Sequence, residues 1–165
     1  MKLNLIFIVC LLCTVVYGQH YDTKKIYVYS FAKFVQWPED YRSGDFEIAV
    51  LGESPFFEQL IDMASKKKLG ERTIKVVKIG SLTEFKRCHM LILPIGQSGA
   101  LPEALKKVGT NSTLIVTEQD GFGAKGTDIN FVMKDNKLAF ELNQAALAKH
   151  KLKATNELIR LAIVL

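Results

Sequence analysis

Met90-Leu91-Ile92-Leu93 contains no polar side chain, and Pro94 and Gly96 close it. A strand solvated on one side alternates apolar with polar residues, whereas an unbroken apolar run belongs to a strand covered on both faces. Such a strand needs a layer above and a layer below, so this short run already selects an α/β arrangement. Phe46 to Leu51, Ile74 to Ile79 and Thr113 to Thr117 read as further strands, with helical segments between them.

Local punctuation sets the rest of the order. Tyr27, Phe31 and Phe34 are spaced four and three apart, which places them on one helical face. Trp37-Pro38 ends that helix, because proline disfavours α geometry at the residue before it. Ser54-Pro55 supplies an N-cap and a first-turn proline for a helix running toward Lys68, with Gly70 as its close. Ser81-Leu82-Thr83-Glu84 has capping-box spacing and predicts a short helix leading to Cys88. Leu101 to Val108 is the next helix, stopped by Gly109. Ile129 to Met133 and Leu138 to Leu142 flank Asp135-Asn136, a polar pair suited to a hairpin turn. Helices over Gln144 to Lys149 and Asn156 to Ile163 complete the chain. The expected fold is a single α/β domain, a mixed β-sheet flanked by helices on both faces.

The first eighteen residues stand apart. Lys2 precedes an apolar stretch from Leu5 to Val16 that ends at Val16-Tyr17-Gly18, the pattern of a secretory signal. A spanning helix needs about 20 apolar residues, so this run is too short to remain as an anchor. The mature protein is expected to start at Gln19, outside the cytoplasm and away from its ATP and nicotinamide pools. Removal leaves 147 residues, enough for one domain with a core of its own. Cys10 and Cys13 leave with the signal, and Leu12 stands where lipoprotein processing expects a small residue. Cys88 then has no internal disulfide partner and reads as a buried thiol, an intermolecular bridge or redox role being the alternative. Lys2 is the only charge lost, so the net charge falls from +5 to about +4, too little to argue for nucleic acid. Lys66-Lys67-Lys68 has no interleaved aromatic residue and reads as a solvated helix end.

Several apparent motifs have ordinary readings. Gly121 to Gly126 matches GxGxxG, but a dinucleotide loop must lead from a strand into a helix, and here Asp128 to Val132 reads as a strand. His20, His89 and His150 lack zinc-ligand spacing, so no metal is expected, and His89 is assigned to packing or polar capping. Neither Gly80-Ser81 nor Gln97-Ser98-Gly99 forms a nucleophile elbow. Asp120, Gly121, Phe122, Asp128, Glu141 and Asn143 are the candidate polar groove. The competing reading has Asp120 and Asp128 capping loops and Asn143 capping the following helix. Asn111-Ser112-Thr113 is a formal glycosylation acceptor, explained equally by a turn before a strand.

Taken in order, Tyr29-Ser30-Phe31-Ala32-Lys33-Phe34-Val35-Gln36-Trp37-Pro38, Val50-Leu51-Gly52 and Cys88-His89-Met90-Leu91-Ile92-Leu93 resemble the YfiR family of bacterial periplasmic proteins. The likeness continues through Gly121-Phe122-Gly123, Ile129-Asn130-Phe131-Val132 and Phe140-Glu141-Leu142-Asn143. The resemblance implies a regulator without enzymatic chemistry or cofactor. It implies restraint of a membrane-bound diguanylate cyclase through that receptor's periplasmic region, and relief by a peptidoglycan-associated lipoprotein. A homodimer and stabilising disulfides are also implied, and with Cys88 alone the disulfides have no counterpart here. Trp37 and Pro38 are the expected partner-binding residues, with Phe34 supporting them from the core beside Phe31. The alternative is a periplasmic small-ligand module with its pocket at the glycine loop and Asp120/Asp128. An enzyme is a third class, for which no complete local constellation exists.

Overall fold

The computed structural model describes residues 22–165. The expected signal sequence, Cys10, Cys13, Gln19 and His20 lie outside the described residues. Helix α1 covers 22–34 and passes into β1 (Val35–Gln36). There follow β2 (Phe46–Leu51), α2 (Pro55–Lys66), β3 (Lys68–Leu69) and β4 (Arg72–Ile79). The middle of the chain holds β5 (Met90–Leu93), α3 (Leu101–Val108) and β6 (Leu114–Thr117). The hairpin of β7 (Ile129–Lys134) and β8 (Lys137–Leu142) leads to α4 (Gln144–Lys149), β9 (Lys153–Ala154), α5 (Asn156–Leu161) and β10 (Ile163–Val164).

Eight strands form one mixed sheet in the order β10-β8-β7-β6-β5-β2-β4-β3, and β1 pairs with β9 beside it. The centre is parallel: β2 joins β4 and β5, and β5 joins β6. The β7–β8 hairpin is antiparallel, with Phe131 opposite Phe140. Its turn places Asp135 and Asn136 at φ 50° and 59°. Positive φ at both residues of a two-residue loop matches the right-handed twist of the strands, and these residue types accept it at low cost.

Side-chain alternation sorts the central strands between two cores. Phe46, Ile48, Val50, Met90, Ile92, Leu114 and Val116 point to one face, where α1 and α2 add Val28, Phe31, Phe56 and Leu60. Ala49, Leu51, Leu91, Leu93 and Ile115 point to the other, against Leu101, Ala104 and Val108 of α3. Met90 to Leu93 are all at 0% exposure, so the two-sided burial expected of that run is realised. Phe31 anchors α1, its ring 4.9 Å from Phe140 and 5.6 Å from Phe131.

Four boundaries differ from expectation. Helix α1 ends at Phe34, before the Trp37-Pro38 break, because the Phe34 carbonyl accepts from the Thr155 amide and the next two residues pair with β9. Helix α2 stops at Lys66; Lys67 is extended, and Gly70, at φ 61°, turns β3 into β4 instead of closing a helix. Ser81 to Cys88 contains a turn but no helix. Glu84 does reach back, but to the amide of Gly80, and a single turn without a continuing apolar stripe does not outweigh the cost of nucleation. The last helix ends at Leu161 because Ile163 and Val164 pair with Glu141 and Leu142.

Phe31→Ala removes a fully buried ring and should lower the unfolding free energy by about 3–5 kcal/mol in urea denaturation. Ile26→Ala, on the 62% exposed side of the same helix, should change it by about 0.5 kcal/mol or less.

Candidate functional site

The corner after α1 is built around an imidazole. Trp37 is 7% exposed, and its ring meets Phe46 edge-on at 5.1 Å. His89 stacks on Phe46 at 4.4 Å and also faces Trp37 and Tyr41. Its Nδ1 accepts from the Glu47 amide at 3.0 Å, so the proton sits on Nε2, which donates to the Tyr41 carbonyl at 2.8 Å. Three arginines secure the loop around it. Arg42 Nε donates to the Trp37 carbonyl, Arg72 to the carbonyls of Gly44 and Asp45, and Arg87 to Asp40 while lying 3.8 Å over the Tyr41 ring. Burial, with Arg72 and Arg87 adding to it, pushes the His89 pKa below its ordinary value. His89 is thus a neutral packing and capping group, as expected.

The burial of the partner-binding candidates is uneven. Trp37 lies inside the monomer. Phe34, expected in the core, is only half-buried, with the Lys33 ammonium 5.2 Å over its ring. Pro38 is half-buried as well, so Phe34 and Pro38 carry the solvent-facing apolar surface of this corner while Trp37 supports it from beneath. The arginine frame is dispersed over 45 residues of sequence and left no local signal; only the three-dimensional assembly identifies it.

The second candidate lies under the glycine loop. Asp128 is at 0% exposure, accepting from the Ile115 amide at 2.7 Å and lying 2.8 Å from His150 Nδ1. Burial pushes its carboxyl above the usual range, while His150 and the Ile115 amide pull the other way. Asn143 caps α4 through the Ala146 amide, as expected, and its amide donates to the Gly123 carbonyl. Glu141 accepts from Asn130, whose own oxygen accepts from Thr117. A Cβ at Gly123 would press on the ends of the Glu141 and Leu165 side chains, which would have to shift to admit it. Phe122 is buried against the α3 core, and Asp120 and Gly121 are exposed. The structure therefore gathers Asp128, Glu141 and Asn143 with Gly123, but closes them into an internal network. Of the six expected groove residues, Asp120 and Gly121 are the two that face solvent.

A buried His–Asp pair resembles the orienting half of a catalytic triad. Here the far nitrogen, His150 Nε2, is covered and has no hydrogen-bond partner among the described residues, so no hydroxyl or thiol stands at a nucleophile's position. Cys88 is equally unsuited: burial pushes its thiol up to about 12, and it donates to the Met90 carbonyl. No group of three His, Cys, Asp or Glu residues suited to a metal exists among the described residues. Thr113 of the glycosylation triplet is buried, its hydroxyl donating to the Cys88 carbonyl, consistent with a turn entering a strand.

Residues 21–163 match a family model described as YfiR/HmsC-like. No curated protein matches the chain.

Because the native state holds His89 below its unfolded value of about 6.5, the unfolded chain binds more protons as pH falls through that value, and stability declines. Urea midpoints measured from pH 8 down to pH 5 should fall for the native protein and fall less steeply for His89→Gln. Parallel profiles would remove His89 as the source.

Proposed function

The chain belongs to the YfiR/HmsC-like family of non-catalytic periplasmic regulators, and from that premise we propose that it represses a membrane-bound diguanylate cyclase or a related envelope receptor. The observation carrying this reading is the extent of the match, which takes in every described α-helix and the whole sheet up to the first residue of β10 rather than a fragment. A mode of action belonging to the family then attaches to the whole domain.

In this account the chain is exported through residues 1–18 and binds the receptor's periplasmic region. Repression requires tighter binding to the inactive receptor state than to the active one; equal affinity would shift nothing. A peptidoglycan-associated lipoprotein that competes for the regulator relieves the restraint by mass action, and a homodimer is the form that presents two such surfaces. The contact surface is placed at Phe34 and Pro38, backed by Trp37. Aromatic and apolar anchors of this kind carry a disproportionate share of interface energy. The Asp120-Gly121 tip is a second exposed segment within reach of a partner or ligand.

Deleting the chromosomal copy should raise cellular cyclic-di-GMP, and restoring the native chain should lower it again. Phe34→Ser with Pro38→Ala should fail to restore repression while keeping the native thermal midpoint within a few degrees, since both side chains are half-buried. Unchanged cyclic-di-GMP on deletion would exclude a cyclase as the target.

A further inference from the structure

Beside Trp37 lies a hollow of about 330 Å³ between α1, β1 and the start of β4. Val35, Phe46, Leu69 and the indole of Trp37 form its apolar wall, and both charged residues that line it are arginines, Arg42 and Arg72. Neither guanidinium has a carboxylate within 4 Å among the described residues. The nearby Asp45 carboxylate is taken by Lys75 at 3.0 Å, and the hydrogen bonds that Arg42 and Arg72 donate go to backbone carbonyls. Among the described residues Arg42 uses only Nε, on the Trp37 carbonyl, which leaves both of its terminal nitrogens for a ligand. Two cations sharing one concavity without an anion repel each other, and an anionic ligand relieves that repulsion. Trp37 Nε1, a further donor in the same wall, is covered and has no acceptor among the described residues.

We propose that this hollow binds a small organic carboxylate, with the carboxylate on the free guanidinium N–H groups of Arg42 and Arg72 and an apolar body against Trp37, Phe46 and Leu69. Guanidinium N–H pairs match the planar carboxylate, and the aromatic wall favours an acid with an apolar body over a fully hydrated inorganic anion. The site is separate from the glycine-loop network and does not depend on repression of a cyclase.

Trp37 is the chain's single tryptophan, so its emission reports directly on the hollow. The purified protein is titrated with benzoate and hexanoate, with benzamide as the neutral analogue of benzoate and inorganic phosphate as an anion without an apolar body. Thermal-shift titration gives a second readout, because a ligand of the native state raises the midpoint. Saturable emission change with at least one carboxylate, weaker response to benzamide and phosphate, and a roughly tenfold or larger loss of affinity in Arg42→Gln are expected. Arg42 is exposed and holds a single hydrogen bond, so this variant should keep the native fold by circular dichroism. Benzamide or phosphate binding as tightly as the carboxylates, undiminished carboxylate affinity in folded Arg42→Gln, or no saturable response to either carboxylate would overturn the assignment.

Discussion

One buried carboxylate joins the two halves of this fold. Strand β7 pairs with β6 only at Val116 and Thr117, which leaves the Ile115 amide beyond the ladder. Asp128 Oδ2 takes that amide, its other oxygen takes His150 at the end of α4, and its carbonyl accepts from Asn143 at the start of α4. A single side chain thus ties the parallel centre to the hairpin and to the helix that follows. Isolating a carboxylate from water is costly, and the arrangement is tolerable only because each oxygen is occupied. Cys88 has no disulfide partner among the described residues, so non-covalent ties of this kind and the two cores must hold the domain together.

The same arrangement separates binding from chemistry. Asp128 and His150 have the residue types of a catalytic pair, but both are sealed, and His150 Nε2 meets no reactive group. His89 performs a comparable task, accepting from Glu47 and donating to Tyr41 beneath the Trp37-Pro38 loop. Both imidazoles stabilise the framework, while the half-buried Phe34 and Pro38 and the arginine-lined hollow face outward.

What the sequence made legible was local. Met90 to Leu93 declared a two-sided strand through composition alone, and Ser54-Pro55, Gly109 and Asp135-Asn136 marked turns and helix ends through their own backbone preferences. Ser81 to Glu84 misled for the same reason: its capping residues adopt the expected turn, but nothing after them rewards continuation as a helix. Gly70 was assigned to the wrong element because a left-handed glycine serves a hairpin as readily as a helix end. The ties that matter most were not legible. Asp128 and His150 are 22 residues apart, and Arg72 meets His89 across 17, with no periodicity to relate them. Trp37 and Phe34 differ in exposure because β1 pairs with β9, a contact that depends on the far end of the chain.

The measurement that bears most directly on the buried tie is equilibrium unfolding of Asp128→Ala beside Glu141→Gln. Loss of Asp128 leaves the Ile115 amide and His150 without their partner and should cost about 3–5 kcal/mol, whereas the half-buried Glu141 should cost about 1 kcal/mol. An Asp128→Ala protein as stable as the native chain would show that the two halves of the sheet hold together without that carboxylate.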